Sequence, residues 1–241
     1  MTDKLNVNTI VPDGSTLTVG TSGGSVVMAD DVKVNTVKDA GGNTLWVSNG
    51  SGVLSSVNSA FGGSLKLLST QTASDSASLS FTSDIDATYK EYVFKFININ
   101  PATNAQDFGF QVNASGQSGY DETITSTAFL AIMTESGTNG SLGYAGGQDQ
   151  AQGTSFQPLM YQVGADADKS GSGELHIVNP SSTTYVKNWY STCNNVNGDA
   201  TPYQANAFMG GYVNITAAIT EVQFKCPSGN FDGKIKMYGV L

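Results

Sequence analysis

Only one histidine is present, His176, within residues 173–179. There it alternates with Leu175 and Ile177, so an extended chain turns it away from both. A Ser-His-Asp triad or a histidine-rich metal site would have to be built on this residue. Its surroundings are instead those of a strand histidine on a solvated face. Carboxylates recur in pairs, Asp84 with Asp86, Asp166 with Asp168, and Asp121 beside Glu122. A glycoside hydrolase needs two carboxyl groups facing each other across a cleft, and nothing in the spacing places these pairs so. Asp166 and Asp168, close to Gly164, offer the oxygen ligands that Ca²⁺ takes, but without the loop pattern of an EF-hand, and a solvated turn is the plainer reading. Cys193 and Cys226 are either one disulfide or two buried thiols, the second reading being the plainer. Their spacing matches no zinc motif. No G-x-S-x-G elbow, P-loop or G-x-G-x-x-G occurs. The sequence therefore names no catalytic, cofactor-binding or metal-ligating residue, and the expectation is a protein that is not an enzyme.

Binding chemistry is better represented. Tyr120, Tyr144, Phe156, Tyr161 and Tyr203 lie in or beside stretches rich in Gly, Ser and Gln. Aromatic faces next to amides suit sugar rings, and loops on a rigid scaffold are where binding tends to reside. The competing reading is that these rings anchor long loops to the core or fill a contact between copies of the chain.

Charge narrows the classes of partner. Twenty acidic residues face eleven basic ones, a formal net charge of −9. The lysines are not clustered, so no phosphate-tracking surface is expected, and the expectation is that the chain does not bind nucleic acid. Only 13% of residues are charged, about half the usual share, with Gly, Ser, Thr and Asn in their place. No apolar run is long enough for a membrane-crossing helix. The opening Met-Thr-Asp-Lys-Leu-Asn lacks the apolar core of a signal peptide. The expectation is synthesis in the cytoplasm, without membrane insertion, followed by incorporation into something larger.

The elements that must position these residues read as strands. Residues 90–100 place Tyr92, Phe94 and Phe96 on one face, and residues 107–113 do the same with Phe108, Phe110 and Val112. Residues 221–226 align Val222, Phe224 and Cys226, and residues 233–240 set Ile235, Met237 and Gly239 against Lys234, Lys236 and Tyr238. Period-two alternation broken by Asn100-Pro101, Asn179-Pro180 and Asn197-Gly198-Asp199 predicts half-buried antiparallel strands. About ten such strands predict two packed sheets. Strands at 65–70 and 234–240 are expected to be neighbours, and Trp189 is expected in the core between the sheets.

Composition changes near residue 60. Residues 1–60 hold one aromatic, Trp46, whereas every Phe and Tyr falls in 61–241. The first part also repeats: Val7-Asn8-Thr9-Ile10 returns 27 residues later as Val34-Asn35-Thr36-Val37, and Thr16-Leu17-Thr18-Val19 returns 28 residues later as Thr44-Leu45-Trp46-Val47. Short strands with glycine turns, recurring at this interval, predict a stacked β-element with too little apolar surface to fold alone. The expected organisation is an extended β-repeat stem over 1–60, for trimerisation or anchoring, followed by an antiparallel jelly-roll-like β-sandwich head over 61–241.

Residues 14–28, reading Gly-Ser-Thr-Leu-Thr-Val-Gly-Thr-Ser-Gly-Gly-Ser-Val-Val-Met, resemble repeats of bacteriophage tail-fibre and virion structural proteins. The turn Asp39-Ala40-Gly41-Gly42-Asn43-Thr44 is similar to one common in them. Residues 92–103, 218–224 and 230–240 resemble the terminal domain of structural proteins from marine and cyanobacterial phages. The resemblance implies a homotrimeric fibre or spike subunit at the virion surface, bound to other virion proteins through 1–60 and touching a host-surface glycan. A capsid decoration or head-fibre protein on the major capsid lattice is the first alternative, and a glycan hydrolase a distant second. The family carries no catalytic residues.

Overall fold

The computed structural model describes residues 34–57 and 64–241, and the chain divides into two units between Phe61 and Gly62. In the first unit, β1 (Thr36–Lys38), β2 (Thr44–Ser48) and β3 (Leu54–Val57) form an antiparallel three-stranded meander. Asp39 closes the β1–β2 turn: its carboxylate accepts from the Asn43 backbone at 2.8 Å, and Gly42 takes a positive φ of 82° that an L side chain resists. This meander is the second copy of the sequence repeat. The first copy, and with it most of the expected stem, lies outside the described residues.

The second unit is all-β in its described residues. Twelve strands run from β4 (Leu65–Ser76) to β15 (Phe231–Val240), through β5 (Leu79–Phe81), β6 (Glu91–Pro101), β7 (Gln106–Ala114), β8 (Ile124–Thr134), β9 (Gly140–Tyr144), β10 (Gln157–Val163), β11 (Gly171–Val178), β12 (Lys187–Val196), β13 (Tyr203–Val213) and β14 (Ile219–Lys225). Eight of them pair first with last: β4 with β15, β5 with β14, β6 with β11, and β7 with β10, all antiparallel. Cross-pairings of β15 with β6 and β14 with β7 then join this long ribbon into two sheets. A paired ribbon wrapped on itself in this order is the jelly roll. The remaining four strands are two insertions. They extend one sheet only, giving the orders β4-β15-β6-β11-β12-β13-β8-β9 and β10-β7-β14-β5.

Burial of aromatic rings between the sheets holds the sandwich. Phe81, Phe94, Phe96, Phe108, Phe110, Phe224 and Phe231 are all shielded from solvent, and Trp189 packs edge-on against Phe110 at 5.1 Å. Each such ring contributes roughly 1.5–3 kcal/mol relative to exposure. Cys193 and Cys226 are free thiols inside this core. The alternation of β6 is broken by a bulge. Asn98 adopts a positive φ of 52°, the register to β11 shifts, and Ile99 is thereby turned into the core after Phe96. Gly233 answers it on β15, since a Cβ there would stand 2.8 Å from Ile99 Cδ1.

Because the larger sheet has twice the strands of the smaller, the insertion overhangs. Its outer face carries one register row, Lys236–Lys95–Glu174–Thr192–Phe208–Phe129–Tyr144, that passes from charged to aromatic. Phe208, Phe129 and Tyr144 are 43%, 47% and 57% exposed, and Leu142 on the edge strand β9 is 74% exposed.

Candidate functional site

The overhang also opens a cleft on its inner face. Even-numbered residues of β8 and odd-numbered residues of β13 point inward. Near the far ends of these strands Leu130, Ile132 and Tyr203 meet Ser141 and Gly143 of β9, Tyr161 of β10, and Tyr144, Ala145, Gly147 and Gln148. The space they enclose is about 390 Å³, within the range of small-ligand sites. Two of the five aromatics singled out in the sequence, Tyr161 and Tyr203, are brought together here, and Tyr144 touches the cleft at its rim, its ring standing on the outer face against Phe129.

Buried amides fix the walls. Asn195 reaches across from β12 and pairs twice with the Tyr161 backbone, accepting from its N–H at 3.2 Å and donating to its carbonyl at 2.8 Å. Asn197 accepts from the Tyr203 N–H at 2.9 Å. Between these, Gln162 takes a positive φ of 46° at a bulge of β10, donates its N–H to Asp107 at 2.9 Å, and accepts from the Tyr203 hydroxyl at 3.4 Å. Gln148 is set by a turn onto the Ala145 carbonyl (3.0 Å), while its own carbonyl accepts from buried Gln157 at 2.8 Å. The residue is 8% exposed, and its buried Oε1 has no donor among the described residues. At the rim the Tyr144 hydroxyl donates to Asp149.

Electrostatics follow from burial. Burial pushes the Asp107 carboxyl above its ordinary range, opposed by hydrogen bonds from the Gln162 backbone and the Gln148 side chain. Burial likewise raises the Tyr203 phenol. No Lys or Arg lines the cleft among the described residues.

The other two aromatics lie elsewhere, against β14 on the smaller sheet. Tyr120 donates to Glu221 at 2.6 Å, and the Lys225 ammonium sits 4.1 Å from the centroid of the Phe156 ring. Of the carboxylate pairs, Asp86 accepts from the Thr88 N–H (2.8 Å) and the Tyr92 hydroxyl (3.1 Å), Glu122 accepts from the Ala114 N–H (3.1 Å), and Ser83 donates to Asp84 (2.8 Å). Asp166 pairs with Lys169 at 2.7 Å. Each of these four is engaged by a near neighbour in sequence. Among the described residues no group of three His, Cys, Asp or Glu side chains is placed to hold a metal ion.

His176 is on the outer face, as its alternation with buried Leu175 and Ile177 predicts, but it is not simply solvated. Its Nδ1 lies 2.5 Å from Glu91 and its Nε2 3.2 Å from Glu174, and the ring stacks on Tyr190 at 4.4 Å. Cross-strand register puts Tyr190 directly opposite His176, and β6 and β11 bring the carboxylates alongside. The Tyr190 hydroxyl, 3.0 Å from Nδ1, is the hydroxyl within its hydrogen-bond reach.

The sequence singles out the tyrosines at this cleft as candidates and does not single out Gln148, Asp107, Asn195 or Asn197 around them. The signal for Gln148 was faint: an amide directly after Gly146-Gly147, at the end of a glycine-spaced strand. Compared with protein-family models, curated proteins and solved structures, the chain matches none.

Proposed function

We propose that this chain is a non-enzymatic structural subunit of a bacteriophage particle. It forms a homotrimeric fibre or spike displayed at the virion surface. Residues 1–60 join it to other virion proteins, and the sandwich meets a host-surface glycan through the cleft of Tyr144, Tyr161 and Tyr203. The observation that carries this reading is the convergence of Tyr161 and Tyr203 on one pocket of a ring-packed scaffold, with Tyr144 at its rim. Two further features agree with it. The segments that resemble phage structural proteins form β6, β14 and β15, which are interior strands of the two sheets. The exposed row Phe208–Phe129–Tyr144 beside an uncharged edge strand is the kind of apolar surface that copies of a chain bury against one another. Locating the chain on purified particles tests the proposal. Absence from the particle would overturn it.

A further inference from the structure

Strand pairing gathers lysines that lie far apart in the sequence, and from their setting we infer a binding site for a phosphate dianion on the outer face of the larger sheet. The inference goes beyond the display-subunit reading and does not rest on it. Register sets Lys236 of β15 directly opposite Lys95 of β6, and Lys234 projects from the same face two residues before Lys236. Like charges placed directly opposite on neighbouring strands destabilise a sheet, and an anion between them offsets that cost. Lys95 has one carboxylate partner, Glu174 at 3.5 Å, whereas Lys234 and Lys236 have none among the described residues. Three of eleven basic residues thus converge on one spot of a chain whose net charge is −9.

The spot is also hollow. Lys95, Ile97, Glu174, Thr192, Lys236 and Tyr238 enclose about 350 Å³, beside the bulge of β6 at Asn98, where the register to β11 and to β15 shifts. Bulges turn side chains to new directions, and Ile97 stands 39% exposed at the margin. Thr192 and Tyr238 project to this face because Cys193 and Met237 beside them are buried. Neither hydroxyl has a protein partner among the described residues, so both are free to donate. The depression holds one carboxylate, Glu174, and its two oxygens are taken, Oε2 by Lys95 and Oε1 by His176 Nε2 at 3.2 Å. Burial works against that carboxylate, but His176 and Lys95 hold it below its ordinary range, so it stays ionised. The next carboxylate along β6, Glu91, is taken by His176. Three ammonium charges less one carboxylate leave a charge of +2, which free phosphate or a phosphate monoester balances and a carboxylate does not. One such spot seats one phosphate group, whereas a nucleic-acid backbone needs a track of them.

Line broadening in phosphorus NMR on the full chain, at low salt and mildly alkaline pH, tests the inference. The probes are inorganic phosphate and glycerol phosphate, with sulfate and acetate as competitors. Both probes should broaden, sulfate should reverse the effect, and acetate at the same ionic strength should reverse it far less. Tighter binding of glycerol phosphate would assign an ester as the ligand, and equal or weaker binding the free ion; both uphold the site. Lys236→Gln should weaken binding about fivefold. Lys225→Gln, on the smaller sheet, removes the same charge and should leave binding unchanged. Glu174→Gln should tighten binding, because it removes the one carboxylate of the depression and frees Lys95. That opposite sign keeps the test open should Lys236→Gln fail to fold. No broadening of either probe, equal losses for Lys236→Gln and Lys225→Gln, or weaker binding by Glu174→Gln would each overturn the inference.

Discussion

Phe224 is the ring on which the two sheets meet, and its removal gives the sharpest test of the packing that positions the cleft. It is wholly buried, with ring centroids 5.3 Å from both Phe94 and Phe96, 6.0 Å from Phe108 and 6.1 Å from Phe81. Truncation of such a ring costs about 3–5 kcal/mol through lost transfer free energy and the cavity left behind. The edge-on contacts, each worth ~0.5–1.5 kcal/mol beyond area, place Phe224→Ala toward the upper end. With a urea slope of about 2 kcal/mol/M, the unfolding midpoint should fall by roughly 2 M. Emission from Trp189, buried against Phe110, reports the transition in a Trp46→Phe background. Phe129→Ala is the comparison, because that ring is 47% exposed and makes one edge-on contact, to Tyr144 at 5.9 Å. Its midpoint should move by less than about 0.5 M, as for other exposed sites. If Phe224→Ala is too unstable to purify, Phe224→Leu should lose about 1–2 kcal/mol. Equal shifts for Phe224 and Phe129 variants would refute the proposed core.

Two further outcomes follow from burial. The Asp107 carboxyl has its folded pKa raised, so the stability it contributes is fully present below its unfolded value and is lost as pH rises through the folded value. Urea unfolding at several pH values should therefore show Asp107→Asn gaining on the natural chain as pH rises from about 4 to 7, and parallel pH profiles would contradict this. Burial pushes the thiols of Cys193 and Cys226 up to about 12, so iodoacetamide at mildly alkaline pH should label neither in the folded chain and both in denaturant. Labelling of the folded chain at the rate of a free thiol would show that the core is open.

The parts of the fold that were legible were those where apolar residues alternate without interruption. Strands β6, β7, β14 and β15 announce themselves in this way, as does the pairing of the first head strand with the last. The bulge at Asn98 was not legible, because alternation alone would send Asn98 rather than Ile99 inward. Twelve strands stand where about ten were expected, and the insertion shows why such strands are hard to read. β12 buries Lys187, Ser191 and Asn195 along with Trp189 and Cys193, and β13 buries Ala205 and Ala207, so neither presents a run of large apolar residues. The same physics divided the site. Tyrosine flanked by glycine and amides was visible as binding chemistry. Gln148 comes to line the cleft only because one sheet overhangs the other, and that is decided by strand pairings far apart in the chain.

The central claim is that this chain is displayed on a phage particle, and electron cryo-microscopy of purified virions with quantitative protein staining tests it most directly. The account predicts a few trimers of the sandwich at the tail or at a single vertex, attached through residues 1–60. Tens to hundreds of copies on the capsid lattice would contradict the fibre or spike reading in favour of a decoration protein, and no copies at all would contradict the account as a whole.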